Sequence, residues 1–359
     1  MSTSTIELAI SSPSADPGSE PCPPWIPPEL ITLILADLWQ GAHTPEVRST
    51  LLVKLALVNR TWLTLIAHVT TLDVRISNYK ETRAFLGLLS QPLPTRESRD
   101  LLTVERKRAI HQSCRSLICD LEGKRWQYDI PTDDMPVTLS KVFHELSAIP
   151  RCDFPPNLRH ISLSHTDWPL CRLFYLFRNA AVPPHVTHLS LDYASTSAAT
   201  AAFIARQFPF DRDQAWWWIS VRHRDSRIGP HPRAPNLRHL SLSGVPTAIA
   251  AMILVICENV ETLELARPER LPDLAPLPPA VRTLVLRGHP GVAFSEREVE
   301  SWALPEALGA GLFPTREKPP RIVVRSGAPV PTSFMALRRS CECFNVGLVC
   351  ERRFLTETF

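Results

Sequence analysis

Three histidines hold the same slot in three copies of one short pattern. The copies are Pro156-Asn157-Leu158-Arg159-His160-Ile161-Ser162-Leu163, Pro184-His185-Val186-Thr187-His188-Leu189-Ser190-Leu191 and Pro235-Asn236-Leu237-Arg238-His239-Leu240-Ser241-Leu242. Imidazoles at matched positions invite a metal reading. Ligating histidines, however, usually keep a carboxylate or carbonyl behind them. The pattern supplies none, and in the register set out below Trp218 falls between His188 and His239. Cys341-Glu342-Cys343 with Cys350 lacks the paired C-x₂₋₄-C units of a structural zinc site. There is no G-x-S-x-G, no G-x-x-x-x-G-K-S/T and no G-x-G-x-x-G, and His144-Glu145 lacks the second histidine of H-E-x-x-H. We therefore assign no catalytic residue, no metal and no cofactor. The chain is expected not to be an enzyme but to work by recognition.

The elements that carry these histidines repeat. Each copy fits Leu-x-x-Leu-x-Leu. Weaker copies are Glu258-Asn259-Val260-Glu261-Thr262-Leu263-Glu264-Leu265 and Pro279-Ala280-Val281-Arg282-Thr283-Leu284-Val285-Leu286. Such segments alternate inward and outward side chains, as strands do. The outward positions form two ladders. One is His160, His188, Trp218, His239, Thr262, Thr283; the other is Ser162, Ser190, Ser220, Ser241, Glu264, Val285. Ser164, Asp192, Arg222, Ser243 and Arg287 flank them. Trp216 to Val221 enters this register as a rung filling the long gap between Leu191 and Leu242. The competing reading makes 209–234 an insertion loop. Helix-like stretches lie between strands at 170–180, 197–208, 246–257 and 333–343, and Ile322-Val323-Val324 and Val346 to Cys350 read as last rungs. A unit of this kind cannot bury its own apolar face, whereas stacked neighbours can.

This part of the chain resembles a leucine-rich repeat, in a degenerate form with irregular spacing and without the strand-closing asparagine. The resemblance implies a solenoid of parallel strands and helices whose concave face meets a partner. The candidate substrate-binding residues are then His160, Ser162, His188, Ser190, Asp192, Trp218, Arg222, His239, Ser241 and Glu264. Residues 206–238 mix seven arginines with three tryptophans. That composition suits a protein hot spot or a nucleic-acid surface, and equally a loop with some tryptophans buried.

Upstream, residues 24–67 carry more apolar surface than a small unit hides. Pro27 and Pro28 suit a first helical turn, and Glu29 sits at the positive end of the helix dipole. Leu30, Ile31, Leu33, Ile34, Leu35, Leu38 and Trp39 then cover far more than a ~100° stripe. Residues 51–67 read as a second apolar helix, after a long connection from Gln40 to Thr50. The opening Ile26-Pro27-Pro28-Glu29-Leu30 and the segment Leu55-Ala56-Leu57-Val58-Asn59-Arg60-Thr61-Trp62 resemble an F-box. In that family the motif docks onto the Skp-type adaptor of a cullin–RING (SCF-type) ubiquitin ligase. By resemblance, the adaptor-binding residues are Pro27, Pro28, Leu30, Ile34, Leu57, Val58 and Trp62. An F-box followed by degenerate repeats is similar to a large group of fungal F-box proteins, in which the repeats select a protein substrate. The alternative is a repeat scaffold unconnected to ubiquitin.

The rest of the chain sets bounds. It has 359 residues, 44% hydrophobic and 21% charged, which are globular values. A net charge of +3 is too weak to argue for a nucleic-acid partner. Thirty-five prolines against twelve glycines argue for short elements with stiff joints. Nothing reads as a signal peptide or a membrane span, so the expected location is cytoplasmic and/or nuclear. Nine scattered cysteines then read as reduced core thiols. The expected organisation is α/β: a disordered lead-in at 1–23, the F-box-like helical module at 24–67, a linking region at 68–154 with the first irregular repeats, and degenerate repeats at 155–359. Within the linking region, strands are expected at 68–76 and 117–121, helices at 81–90, 99–114 and 138–148, and a loop at 123–137. The charged helix at 99–114 reads as a solvated face.

Overall fold

A computed structural model of the chain describes residues 26–41, 45–76, 85, 88–89, 101–121, 155–166, 184–194, 234, 236–245, 250–251, 253–254, 257–266, 268, 270–288, 294–314, 319–326 and 334–352. The expected lead-in at 1–23, the loop at 123–137 and the helices at 138–148, 170–180 and 197–208 lie outside these residues. The chain divides into two units, Met1–Ile66 and Ala67–Phe359.

The first unit is helical, with α1 (Pro28–Gly41), α2 (Pro45–Ala56) and α3 (Arg60–Leu72), the unit boundary falling inside α3. Two expectations are corrected here. The long connection is largely α2, and the single helix expected over 51–67 is two helices broken at Leu57-Val58-Asn59. Asn59 causes the break. Its side-chain Oδ1 accepts the Trp62 N–H at 2.9 Å, and its carbonyl accepts the Leu63 N–H at 3.0 Å. An asparagine in that role caps a new helix rather than continuing an old one. Ile31 and Leu35 on α1, Leu52 on α2, and Leu63 and Ile66 on α3 are buried.

The second unit is built on one nine-stranded sheet, all parallel and ordered as in the sequence. Its strands are β1 (Asp73–Ile76), β2 (Ser116–Leu121), β3 (His160–Thr166), β4 (His188–Ala194), β5 (His239–Ser243), β6 (Thr262–Ala266), β7 (Thr283–Arg287), β8 (Arg321–Ser326) and β9 (Gly347–Arg352). The Leu-x-x-Leu-x-Leu pattern lines up across them. Leu117, Ile161, Leu189, Leu240, Leu263, Leu284 and Ile322 share one buried row. Cys119, Leu163, Leu191, Leu242, Leu265, Leu286 and Val324 share the next. Before four of the strands the chain makes the same turn, in which the first leucine-slot residue donates to a carbonyl three residues back: Leu158 to Pro155, Leu237 to Ala234, Val260 to Cys257 and Val281 to Pro278, at 3.0–3.2 Å. Pro156 and Pro279 sit second in such turns, where a fixed φ is favoured. That is one use of the chain's prolines.

β4 pairs directly with β5, His188 opposite His239 and Leu191 opposite Leu242. The ladders therefore pass from one to the other with no rung between them, where the sequence register places one. Trp216–Val221, and with them Trp218, Ser220 and Arg222, lie outside the described residues. The strands expected in the linking region are the sheet's first two, β1 and β2, although 68–72 continue α3 and only 73–76 are extended.

Helix α4 (Leu101–Ser113) precedes β2. It is not a solvated face throughout, because Lys107, Ala109 and Ile110 are buried. Its exposed side carries Arg108 paired with Glu105 at 3.2 Å. A 3₁₀ turn (Leu271–Leu274), α5 (Glu296–Ser301), α6 (Leu304–Gly309) and α7 (Phe334–Cys343) complete the described elements. Fully buried Trp302 meets Phe294 edge-on, ring centroids 5.0 Å apart. Cys114, Cys119, Cys257 and Cys341 are buried free thiols, while Cys343 and Cys350 are exposed. Among the described residues no helix is long and apolar enough to cross a membrane.

Candidate interaction surfaces

On the helical unit, Ile31 and Leu35 turn inward, and the neighbouring i, i+4 row Leu30, Ile34 and Leu38 is exposed. Leu33 is 65% exposed and Leu57, in the break before α3, is 80% exposed; Val58, Val53, Val47 and Ile26 are also exposed. Of the seven residues singled out in the sequence, Leu30, Ile34, Leu57 and Val58 present open apolar surface. Pro27, Pro28 and Trp62 are half-buried. Leu33, Leu38 and Val53 are exposed as well and were not singled out in the sequence, although helical spacing from Leu30 would have found the first two. These exposed apolar side chains make the helical unit a candidate interaction surface.

The second surface is the side of the sheet turned away from its leucine core. Pairing places Asp73, Ser116, His160, His188, His239, Thr262, Thr283 and Arg321 in one row. Arg75, Ile118, Ser162, Ser190, Ser241, Glu264, Val285 and Val323 form the next. Asp192, with Ser164 and Ser243 on either side, lies in the third. With no rung between β4 and β5, the three histidines are consecutive. The His160 and His188 rings meet edge-on at 6.0 Å, and His188 stacks on His239 at 5.2 Å. The Thr187 hydroxyl lies 2.9 Å from His188 Nδ1. Loss of water around the packed rings lowers all three histidines below the ordinary imidazole value, although His160 and His188 each keep an exposed edge. His188 depresses both neighbours further, and Asp73 pulls His160 partly back.

Between β4 and β5 no Trp218 separates His188 from His239. Among the described residues no group of three or more ligands converges on one point. Ser116 donates its hydroxyl to the Asp73 carboxylate beside it in the row. Burial pushes the Cys114 and Cys257 thiols up to about 12, far from the thiolate form that reacts.

The row changes character along its length. His160, His188 and Asp192 are exposed, and Ser162 and Ser190 are half-buried. From β5 onward Ser241, Glu264, Thr283, Val285 and Val323 are buried. Arginines lie across this end. Arg325 Nη1 is 3.0 Å from Glu264 Oε2 and its Nε is 2.8 Å from Glu351 Oε2, so one side chain bridges β6 to β9. Arg287 Nη1 also holds Glu264, at 3.2 Å, and Arg321 Nε donates to Thr283 Oγ1 at 3.0 Å. Val285 and Val323, in the same outward row as Glu264, are buried with it. Glu264 is therefore an internal clamp and not an open reader. The open part of the strip runs over β3, β4 and the start of β5.

One row escaped the sequence reading. Arg115, Arg159, Arg238 and Arg282 stand immediately before β2, β3, β5 and β7, all exposed. No family model, no curated protein and no solved structure matches this chain.

Proposed function

We propose that the chain is a substrate-recognition adaptor of a cullin–RING ubiquitin ligase. In this reading α1 to α3 act as an F-box-like module that docks on a Skp-type adaptor. The strands act as a degenerate leucine-rich-repeat surface that holds a protein substrate. No chemistry is asked of the chain; it raises the effective concentration of substrate at the ligase. The place of work would be the cytoplasm and/or nucleus.

The observation that supports this is the set of exposed apolar side chains on the helical unit. Leu30, Ile34, Leu57 and Val58 are already partly covered, at 46–80% exposed, so hiding the remainder gives about 3–7 kcal/mol, against an association cost of ~4–15 kcal/mol. Adding Leu33, Leu38 and Val53, at 43–65% exposed, brings the sum to about 6–12 kcal/mol, so docking requires that most of them be covered. A pull-down of the full chain with a Skp-type adaptor tests it, beside Leu30→Ser/Leu57→Ser. Both residues are exposed, so the variant keeps its melting temperature and loses capture. Failure of the folded wild-type chain to capture the adaptor overturns the ligase reading and leaves a repeat scaffold.

A further inference from the structure

The arginine row is fixed by the backbone. From β2 to β6 the carbonyl of the residue preceding each strand accepts two N–H groups from the next rung. Arg115 O accepts from Arg159 and His160 at 2.8 and 3.1 Å, and Arg159 O from Thr187 and His188, both at 2.9 Å. Thr187 O accepts from Arg238 and His239, Arg238 O from Glu261 and Thr262, and Glu261 O from Arg282 and Thr283, at 2.8–3.1 Å. The row thus reads Arg115, Arg159, Thr187, Arg238, Glu261, Arg282, with exposed Arg321 starting the next strand. Glu261 is its one acid, and it pairs with Arg238 at 3.5 Å with both side chains about half exposed, an interaction worth little. Among the described residues no ion pair reaches Arg115, Arg159 or Arg282. Arg159 instead donates to the Pro156 and Leu158 carbonyls at 2.7 and 3.2 Å, which holds its guanidinium at the strand start.

The spacing is selective. Arg159, Arg238 and Arg282 occupy every second rung, so they repeat at ~9.6 Å. A polyproline II segment advances ~3.1 Å per residue with three residues per turn. Its every third side chain therefore faces the same way at ~9.3 Å. A β-extended segment would turn alternate members of that set away.

We propose that this rim binds an acidic segment of a partner protein, lying across the strand starts, with an anionic side chain at every third residue facing Arg159, Arg238 and Arg282. The proposal deepens the substrate reading above and rests on it for the partner's being a substrate. Nucleic acid fits the rim less well. Glu261 interrupts the row, and no Phe, Tyr or Trp stands in the outward rows to stack bases. Carboxylates and phosphates share the chemistry, so both belong in the test.

The test is fluorescence anisotropy on the full chain with four probes. Three are nine-residue proline-rich peptides carrying Asp, phosphoserine or Asn at every third position; the fourth is a single-stranded RNA. The Asp or phosphoserine peptide binds saturably and weakens with salt, and the Asn peptide does not bind. Tighter binding of phosphoserine identifies a phosphorylated partner, and comparable binding of Asp identifies an acidic one. Arg159→Gln/Arg282→Gln weakens the better peptide about 2- to 30-fold, two exposed pairs at ~0.2–1 kcal/mol each. Arg282→Glu regains binding when the facing Asp is changed to Lys, a result that a misfolded variant does not give. No salt-dependent binding of either anionic peptide overturns the proposal, as does RNA binding tighter than both. Adaptor capture run in parallel separates the two readings. Capture without peptide binding removes only this proposal, and peptide binding without capture removes only the ligase role.

Discussion

Arg325 on β8 reaches over β7 to Glu264 on β6, its Nη1 3.0 Å from Oε2, while its Nε holds Glu351 on β9. One side chain thereby ties β6, β8 and β9 on the side away from the core. Glu264 is 6% exposed and depends on this contact and on Arg287 for compensation of its buried charge.

Arg325→Ala removes the strap and one of the two guanidinium partners of Glu264. Arg287 remains, so the cost falls below the ~3–5 kcal/mol of a fully orphaned buried charge. A loss of about 1–3 kcal/mol in urea unfolding is expected. Glu264→Gln together with Arg325→Ala should cost less than the sum of the singles, because the charge left behind is gone. Strict additivity would show that the strap carries no coupling.

Acid should destabilise the second unit through its histidine row. His160, His188 and His239 have folded values below the ordinary one, first through loss of water around the rings. The native state therefore resists protons that the unfolded chain accepts. Their contribution is complete above about pH 6.5 and declines as pH falls below it. His188→Gln removes the ring that touches both neighbours. It should flatten the decline of melting temperature between pH 7.5 and 5, and an unchanged slope would place the acid sensitivity elsewhere.

Gly244 follows β5 at φ +63°, and a Cβ there would meet the Tyr193 carbonyl oxygen at 2.0 Å. Both the left-handed backbone and the contact with main chain resist relief. Gly244→Ala should cost more than the ~1–3 kcal/mol of strained backbone alone. Gly41→Ala, with nothing within 4 Å of its Cβ, should be close to neutral. Calorimetry on the pair separates the site-specific effect from a general one.

Asn59→Ala removes the acceptor of the Trp62 N–H and should cost about 1 kcal/mol of helical-unit stability. If the break at 57–59 shapes the docking face, capture of a Skp-type adaptor weakens in the same variant, and Asn59→Asp restores both. Capture unchanged after a measured loss of stability would detach the break from docking.

Much of the sheet was legible in the chain. Period-two alternation with a leucine every other residue leaves a strand one way to face its core, and a one-residue slip would turn every leucine outward. His160, His188, His239, Thr262 and Thr283 therefore align as the pattern implies, as do Ser162, Ser190, Ser241 and Glu264. The apolar excess of residues 24–67 was equally plain, because hydrophobic side chains in surplus are a property of composition. The tertiary structure decided the rest. Pairing depends on which edges meet, and β4 met β5 across a gap of 51 residues between Leu191 and Leu242, so a plausible rung was skipped. β1 and β2 were expected as strands, but only the pairing put them in the same sheet, next to β3. Glu264 turned from reader to clamp because Arg325, 61 residues away, was laid across it. The arginine rim exists only where the strands stack, since residues distant in the chain become neighbours ~4.8 Å apart.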